Sequence, residues 1–406
     1  MLKLLEEIRT ENQRKIAAMV FCYSLANSLI GVFLPAYYLK IGQIGLGWVI
    51  EFLASQFIVL GIVPKVNLRF FPNQFERLIY AGFALYISYD LLLIYSNSSI
   101  LIGVVAGLAL GTFWPSFNTL QLRLTDKQNR TATINTISIL VMTVAASIGP
   151  LLGGLLISTE GGNYTSALVL SSAFYLLSIV SMRKFGFAKS KVIVPALIDA
   201  ASTPMRTQVY KSRLFFLGFV VQGLSEVSWF VYPIYVLALT GNYFALGVVA
   251  SAASVAVAAF SVTLGRLSDS MKSRFGLIAI GIVLNSLWYA TLPSVHNEIE
   301  LILASLIIGV AGALTSNIFS LLGDEFPKQE YASMFVRIET ALMFGRLGNL
   351  AIMAYFMVDR NYTGYFGTSA FIVSLGIPIF YLLHKSVRSR EELEGDLKSS
   401  VNVRSL

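Results

Sequence analysis

Four ionisable side chains lie inside long apolar runs of the sequence, where a charge is costly and rarely present without a role. Glu226 and Arg346 lie near the middle of their runs, Asp90 lies deep in a third run, and Glu51 lies toward one end of a fourth. Burial disfavours the charged form of a carboxylate, whereas a nearby guanidinium favours it. Such groups can bind and release protons, so we predict a proton-coupling role for all four residues.

Glu226 and Arg346 lead this set, because similar depth in two runs of the second half of the chain would let them form an ion pair. An arginine stays protonated, so Glu226 would be the member of the pair that binds and releases a proton. The alternative is a static buried ion pair that only fixes the packing of two helices.

Asp90 and Glu51 also have simple structural interpretations. Hydroxyl groups of Tyr86, Tyr89 or Tyr95 could satisfy the Asp90 carboxylate locally. Glu51 faces either a central cavity or a neighbouring helix, and both alternatives stay open.

Polar and amphipathic side chains within the apolar runs form a second group of candidates. Trp, Asn and Gln together suit a neutral or amphipathic organic ligand, and a single arginine within the runs weighs against a phosphate or dicarboxylate ligand. The alternative is that many of these side chains form hydrogen bonds between helices. The predicted ligand-binding residues are Asn27, Trp114, Asn118, Gln222, Trp229, Asn285, Trp288 and Asn317.

The elements that position these side chains are transmembrane helices. Of the 406 residues, 56% are hydrophobic and only 13% are charged, and the mean hydropathy is +0.71, which excludes an ordinary soluble domain. Unpaired backbone is not tolerated in lipid, so each run must be helical. Twelve apolar runs are present, at about 16–39, 44–64, 78–96, 100–122, 132–158, 164–182, 213–239, 243–264, 275–293, 299–322, 332–357 and 364–384.

The basic residues orient the helices. All but three of the 30 Lys and Arg residues fall in the two termini and in alternate loops, the exceptions being Lys40, Arg346 and Arg360. This positive-inside pattern predicts a multi-pass protein of the cell membrane with both termini in the cytoplasm. It also accounts for the net charge of +8 without a nucleic-acid partner.

Motifs for cofactors, metals and covalent catalysis are missing from the sequence. The chain has one cysteine, Cys22, and its two histidines, His296 and His384, lie near the ends of apolar runs. No nucleotide-binding glycine loop or nucleophile–base motif is present. We therefore predict no cofactor, no metal site and no enzymatic activity.

Short matching segments divide the chain into two halves. The segment 34–39 ends the first apolar run and 232–237 ends the seventh, and the Asn-Tyr-Thr triplets at 163–165 and 361–363 recur at the same separation. The sequence therefore predicts two six-helix repeats. The predicted parts are an N-terminal half at 1–182, a cytoplasmic linker at 183–212, a C-terminal half at 213–384 and a cytoplasmic tail at 385–406.

The polar segment 265–274 lies between the eighth and ninth runs and resembles the signature loop of the major facilitator superfamily. Gly265, Asp269 and Arg274 fit the family pattern of a glycine, a later aspartate and a basic cluster. The resemblance implies a gate, in which we expect Asp269 to cap the start of the fifth helix near Ala132.

A second segment, 149–154, resembles the fifth-helix motif of export-type members of this superfamily. Gly149 permits close helix packing and Pro150 kinks the helix. We assign both residues to gating, together with Arg123 and Arg337 at the cytoplasmic ends of their runs.

The resemblance implies an all-α transporter that works by alternating access, which we expect to be a proton-coupled exporter of small organic compounds. Its expected partners are the solute, protons or another coupling ion, and the lipid bilayer, and we expect it to act as a monomer. Two alternatives stay open. One is a symporter or uniporter for sugars, metabolites or a metal ion, and the other is a non-transporting receptor or lipid scramblase.

Overall fold

The computed structural model describes residues 11–41, 45–124, 131–182, 209–270, 275–315 and 331–382. Almost all of these residues are α-helical. The predicted linker at 183–212 lies outside the described residues up to 208, and so does the tail. The helices are α1a (Glu11–Gly31), α1b (Leu34–Ile41), α2 (Leu46–Phe70), α3 (Phe75–Tyr95), α4 (Ser99–Leu124), α5 (Thr131–Thr159), α6 (Thr165–Ser181), α7a (Val209–Glu226), α7b (Ser228–Thr240), α8 (Tyr243–Ser270), α9 (Phe275–Thr291), α10 (Glu298–Thr315), α11 (Tyr331–Val358) and α12 (Tyr362–Ser374, with helical residues on to Leu382).

Most of these helices are long and apolar enough to cross a membrane. Within the described residues ten spans meet that condition, and α1a with α1b makes eleven although the pair bends by 42°. The helix α6 is apolar but has only 17 residues. The prediction of an all-helical membrane protein is confirmed, and each of the twelve predicted runs corresponds to a helical segment.

The two halves repeat one packing pattern. In the first half, α1a packs on α5 and α6, α2 packs on α4, and α3 packs on α4 and α6. In the second half, α7a packs on α11 and α12, α8 packs on α10, and α9 packs on α10 and α12. Each contact of the first half thus reappears six helices later. The halves meet through two principal pairs, α5 with α8 and α2 with α11.

Glycines of α5 bring it close to its neighbours. A Cβ on Gly149 or Gly153 would meet Ser28 or Leu29 of α1a, so these two glycines serve packing within the first half. Gly154 faces the other half, where a Cβ would lie 2.8 Å from the backbone oxygen of Tyr243 at the start of α8.

The helix α8 extends further than expected. The segment 265–274 was predicted to be a loop, but α8 continues to Ser270, so Gly265 and Asp269 belong to its last turns. The backbone hydrogen bonds of a helix are satisfied internally, so the polar residues here prolong the helix instead of ending it. The Asp269 side chain and Arg274 lie outside the described part, as does the side chain of Arg123 near the end of α4.

The seventh span breaks between α7a and α7b. Val227 separates the two helices, and the freed backbone oxygens of the preceding turn are taken by side chains from other helices. Asn349 of α11 donates its Nδ2 to Leu224 O, and the Tyr289 hydroxyl of α9 donates to Ser225 O at 3.0 Å. Side chains inserted into the helical ladder are a known cause of kinks. The break makes Glu226 the last residue of α7a.

Candidate functional site

Two glycines bring α7a and α11 into backbone contact beside the break. A Cβ on Gly223 would lie 2.5 Å from Leu342 O and 3.0 Å from the Cα of Gly345. A larger residue at either position would push the helices apart. Glu226 lies one turn after Gly223, and Arg346 directly follows Gly345. The close approach of the two helices therefore brings Glu226 and Arg346 together.

Glu226, Arg346 and Glu339 form one ionic cluster, called here the acid–guanidinium cluster. Arg346 Nε lies 2.6 Å from Glu226 Oε2, and Arg346 Nη1 lies 3.0 Å from Glu339 Oε2. The side chains of Arg346 and Glu339 are 11% and 14% exposed, whereas that of Glu226 is 29% exposed. The Arg346 guanidinium also lies 6.0 Å from the ring of Phe57 in α2, across the boundary between the halves.

The cluster carries more acid than base. With both carboxylates ionised and the guanidinium protonated, its net charge is −1, because no other cation among the described residues pairs with either acid. An excess charge in a site of low polarity is costly unless a proton or a cationic ligand neutralises it. The arrangement can therefore bind one positive charge.

A central cavity of about 580 Å³ lies between the two halves. All three cluster residues line it, and so do four of the predicted ligand-binding residues: Asn27, Trp114, Trp229 and Trp288. Its other polar lining groups are Gln56, Tyr38, Tyr86, Tyr89 and Tyr232.

A second cavity of about 460 Å³ lies within the C-terminal half, between α7a, α7b, α9, α10 and α12. Its only charged lining group among the described residues is Glu226. Gln222, Asn285, Trp229 and Trp288 from the predicted set also line it. The two cavities share Glu226 and three aromatic residues, Trp229, Tyr232 and Trp288, which form a common wall.

Several buried polar atoms around the cavities have no hydrogen-bond partner within the described part of the chain. They are Trp288 Nε1, Asn285 Oδ1 and Gln56 Oε1. Buried donors and acceptors are nearly always paired, so unpaired ones beside a cavity indicate groups that are completed by a ligand or by water.

Asp90 lies away from both cavities. It is 1% exposed, and Ser172 Oγ of α6 donates to its Oδ2 at 3.2 Å. The predicted tyrosine partners do not bond it. Tyr86 and Tyr89 bond the hydroxyls of Tyr23 and Tyr38 instead, and Tyr95 is 83% exposed. Asp90 therefore lies between α3 and α6 without a cation in contact.

Glu51 contacts a neighbouring helix. It lies on the exposed side of α2, and Ser99 Oγ at the start of α4 donates to its Oε2 at 2.6 Å. Neither cavity includes Glu51, and Asn118 of α4 lines neither cavity. Arg337 is exposed near the start of α11, and Asn317 lies outside the described residues.

Glu339 was missed as a site residue because it lies near Arg337 at the polar start of its run, where a charge is common. The signal was its spacing from Arg346, seven residues and two helical turns, which puts both on one face of α11. Gln56 and Tyr232 were missed as well, although each is a polar or amphipathic residue within an apolar run.

Aromatic contacts join the halves at the end that the charge pattern predicts to face outward. The rings of Tyr38 in α1b and Phe230 in α7b stack with centroids 6.4 Å apart, and Tyr164 meets Tyr243 edge-on at 5.8 Å. At the opposite end, Leu68 and Phe75 pack against Ala332 of α11. The halves therefore touch on both sides of the central cavity.

Comparison with known proteins identifies the architecture. Residues 214–403 match the family model of the Major Facilitator Superfamily. The matched segment covers most of the predicted C-terminal half of the chain. The crystal structure of the human organic anion transporter MFSD10 (TETRAN) superposes with a TM-score of 0.66 at 12% identity, over 90% of this chain and 98% of that one. At this identity the likeness concerns the fold, and no curated protein sequence matches the chain.

The partial family match and the fold support a multi-pass membrane protein with the architecture of a secondary transporter. Such proteins are generally not enzymes. The cavity between the halves lies where transporters of repeated architecture place their substrate sites.

Proposed function

We propose that this protein is a transporter of the major facilitator type that exports a small organic solute in exchange for protons, and that the acid–guanidinium cluster couples the two movements. The observation that carries the proposal is the position of the cluster, on the wall of the central cavity and at the break in the seventh span. A charge change there acts on the solute site and on a helix joint together.

Alternating access would arise from rocking of the two halves about the central cavity. The interfaces that must rearrange are α5 with α8 and α2 with α11. At both interfaces a glycine packs directly on the other half. Gly154 of α5 lies against the backbone of Tyr243 in α8, and Gly61 of α2 lies against the side chain of Met343 in α11. In our proposal Gly149, Pro150, Gly265, Asp269 and Arg274 serve these interfaces as gating residues, with Arg123 and Arg337 near the cytoplasmic ends of α4 and α11.

The proton would be held by the two carboxylates together. Glu226 and Glu339 share one guanidinium, so a proton bound by the cluster would belong to the pair and not to one residue. The other ionisable groups that face Glu226 are the hydroxyls of Tyr232 on α7b and Tyr289 on α9, which stay neutral near neutral pH. As the pH falls, the pair gains a proton and loses its excess negative charge. A solute that needs this charge then leaves.

The proposed direction of transport and the proposed membrane location of the protein come from its sequence. The fifth-helix motif at 149–154 favours export, and the basic loops favour the cell membrane with cytoplasmic termini. We propose that one chain suffices, because both cavities are lined by a single copy.

The test is proton movement in proteoliposomes that enclose a pH-sensitive dye. With an acidic lumen, addition of a transported solute to the wild-type protein should raise the luminal pH. Glu226→Gln with Glu339→Gln should abolish this change, whereas Glu160→Gln, in an exposed turn, should preserve it. Equal proton movement in the double variant, or none with any solute of a chemically varied set, would contradict the proposal.

A further inference from the structure

The cavity within the C-terminal half has the chemistry of a site for organic cations. Among the described residues its one charged lining group is the Glu226 carboxylate, and four aromatic side chains line the same cavity: Trp229, Tyr232, Trp288 and Tyr289. Tyr232 and Trp288 meet edge-on with centroids 5.0 Å apart, and Trp288 and Tyr289 lie 4.6 Å apart. A carboxylate beside several aromatic faces attracts an ammonium group through charge and cation–π interactions.

The unpaired polar atoms add a second requirement. Trp288 Nε1 is a donor without an acceptor, and Asn285 Oδ1 is an acceptor without a donor. Both residues line the cavity, and a ligand hydroxyl that reaches these buried atoms after the side chains adjust can accept from the donor or donate to the acceptor. The cavity volume of about 460 Å³ admits a molecule larger than a simple ammonium ion.

We propose that the cavity lined by Glu226, Trp288 and Asn285 binds an organic ammonium compound that also carries a hydroxyl or similar hydrogen-bonding group. The inference rests on the proposed function only in taking this compound as the transported solute, which would lie against the wall of Glu226, Trp229, Tyr232 and Trp288 that this cavity shares with the central one. The compound neutralises the excess charge of the acid–guanidinium cluster through Glu226, whose side chain is its most exposed member.

The experiment compares three matched probes by calorimetric titration of the purified full-length protein in detergent, with empty micelles as the blank. The first probe is benzyl(hydroxyethyl)dimethylammonium. The second is its neutral isostere, in which carbon replaces the nitrogen. The third is the carboxylate derived from that neutral alcohol.

The ammonium probe should bind roughly tenfold more tightly than the neutral alcohol, and the carboxylate should bind most weakly. Glu226→Gln should remove the preference for the cation and leave binding of the alcohol unchanged. Trp288→Phe should weaken both hydroxyl-bearing probes and preserve the preference. Glu160→Gln is the control for a lost surface carboxylate.

A cavity-filling variant tests the location. Ile282 lines this cavity and not the central one, so Ile282→Trp should abolish binding of the ammonium probe. Thermal unfolding of each variant establishes that it is folded. The inference is overturned if the ammonium probe does not bind, if it binds no better than the alcohol, or if Glu226→Gln keeps the preference. Full binding in a folded Ile282→Trp variant would overturn the assigned location.

The two proposals can fail separately. If the ammonium probe binds with this pattern but moves no protons in proteoliposomes, the site stands and the transport proposal fails. If other solutes move protons while the ammonium probe does not bind, the transport proposal stands and the cation site is wrong.

Discussion

The Glu226 carboxylate lies 2.6 Å from Nε of Arg346, and this contact joins the last residue of α7a to the middle of α11. The contact occurs where two glycines allow the helices to touch and where the seventh span is broken. Protonation of Glu226 would weaken a bond between helices beside Val227, the one residue at which the helix of the seventh span is interrupted. This relationship suggests how a proton could alter helix positions.

Loss of the guanidinium should destabilise the protein in a pH-dependent way. Arg346→Met leaves two buried carboxylates without a cation, and breaking a buried pair in this way costs about 3–5 kcal/mol. The loss should be largest at high pH and should shrink as the pH falls, because protonation removes both charges. Thermal unfolding across a pH series measures the effect. The triple variant that adds Glu226→Gln and Glu339→Gln should recover most of the stability, and a pH-independent loss in Arg346→Met would contradict the cluster's charge balance.

Asn349 should act as a positioning residue for Glu226. Its Nδ2 bonds Leu224 O at the helix break, and its Oδ1 accepts from the Tyr365 hydroxyl at 3.0 Å. Asn349→Leu leaves the Leu224 oxygen unpaired and should shift the pH profile of solute-driven proton movement. A purely structural role predicts a lower melting temperature with the pH profile unchanged, so the two readouts separate the roles.

The glycine at the α5–α8 interface should limit the rate of transport. A Cβ at Gly154 would lie 2.8 Å from the Tyr243 backbone oxygen, so Gly154→Ala forces the two halves apart at that point. We expect slower solute exchange with little loss of fold. Gly47→Ala is the matched control, since a Cβ there meets nothing within 4 Å. Equal exchange rates in both variants would show that this contact has no part in gating.

Asp90 should be replaceable by its amide. The carboxylate is 1% exposed, has no cation in contact and accepts one bond from Ser172, which an asparagine oxygen can accept equally well. Asp90→Asn should change the unfolding free energy by less than about 1 kcal/mol and leave proton coupling intact. Asp90→Ala is the contrasting variant, because it leaves a small void and an unpaired hydroxyl. Loss of proton movement in Asp90→Asn would instead support the proton-coupling role that the sequence predicted for Asp90.

Much of the fold could be predicted from the sequence because a lipid bilayer permits few backbone structures. Long apolar runs must be helices, and basic loops mark one side. The same reasoning directed attention to Glu226 and Arg346, since charges within such runs are few, and the structure places them in contact.

The remaining features depend on residues far apart in sequence. The sequence around Val227 does not predict an interruption of the helix. The side chains that bond the freed backbone oxygens there belong to Asn349 and Tyr289, which are distant in sequence. The partner of Asp90 is likewise a serine from another helix, and not the tyrosines of its own. The second cavity is formed by α7a, α7b, α9, α10 and α12 of one half. The order of polar residues along the sequence does not tell which of them line which cavity.

The most direct measurement of the coupling claim is the infrared difference spectrum of the purified protein between low and high pH, which detects protonated carboxylic groups without a ligand. We predict that the carboxylic acid absorption lost as the pH rises is smaller in the variant with Glu226→Gln and Glu339→Gln than in the wild-type protein, since all other Asp and Glu residues contribute equally to both spectra. Asp90→Asn should retain the part of this absorption change that the double variant loses. Identical spectra for the wild-type protein and the double variant would mean that the cluster is a permanently ionised structural ion pair, and the proposed coupling role would be wrong.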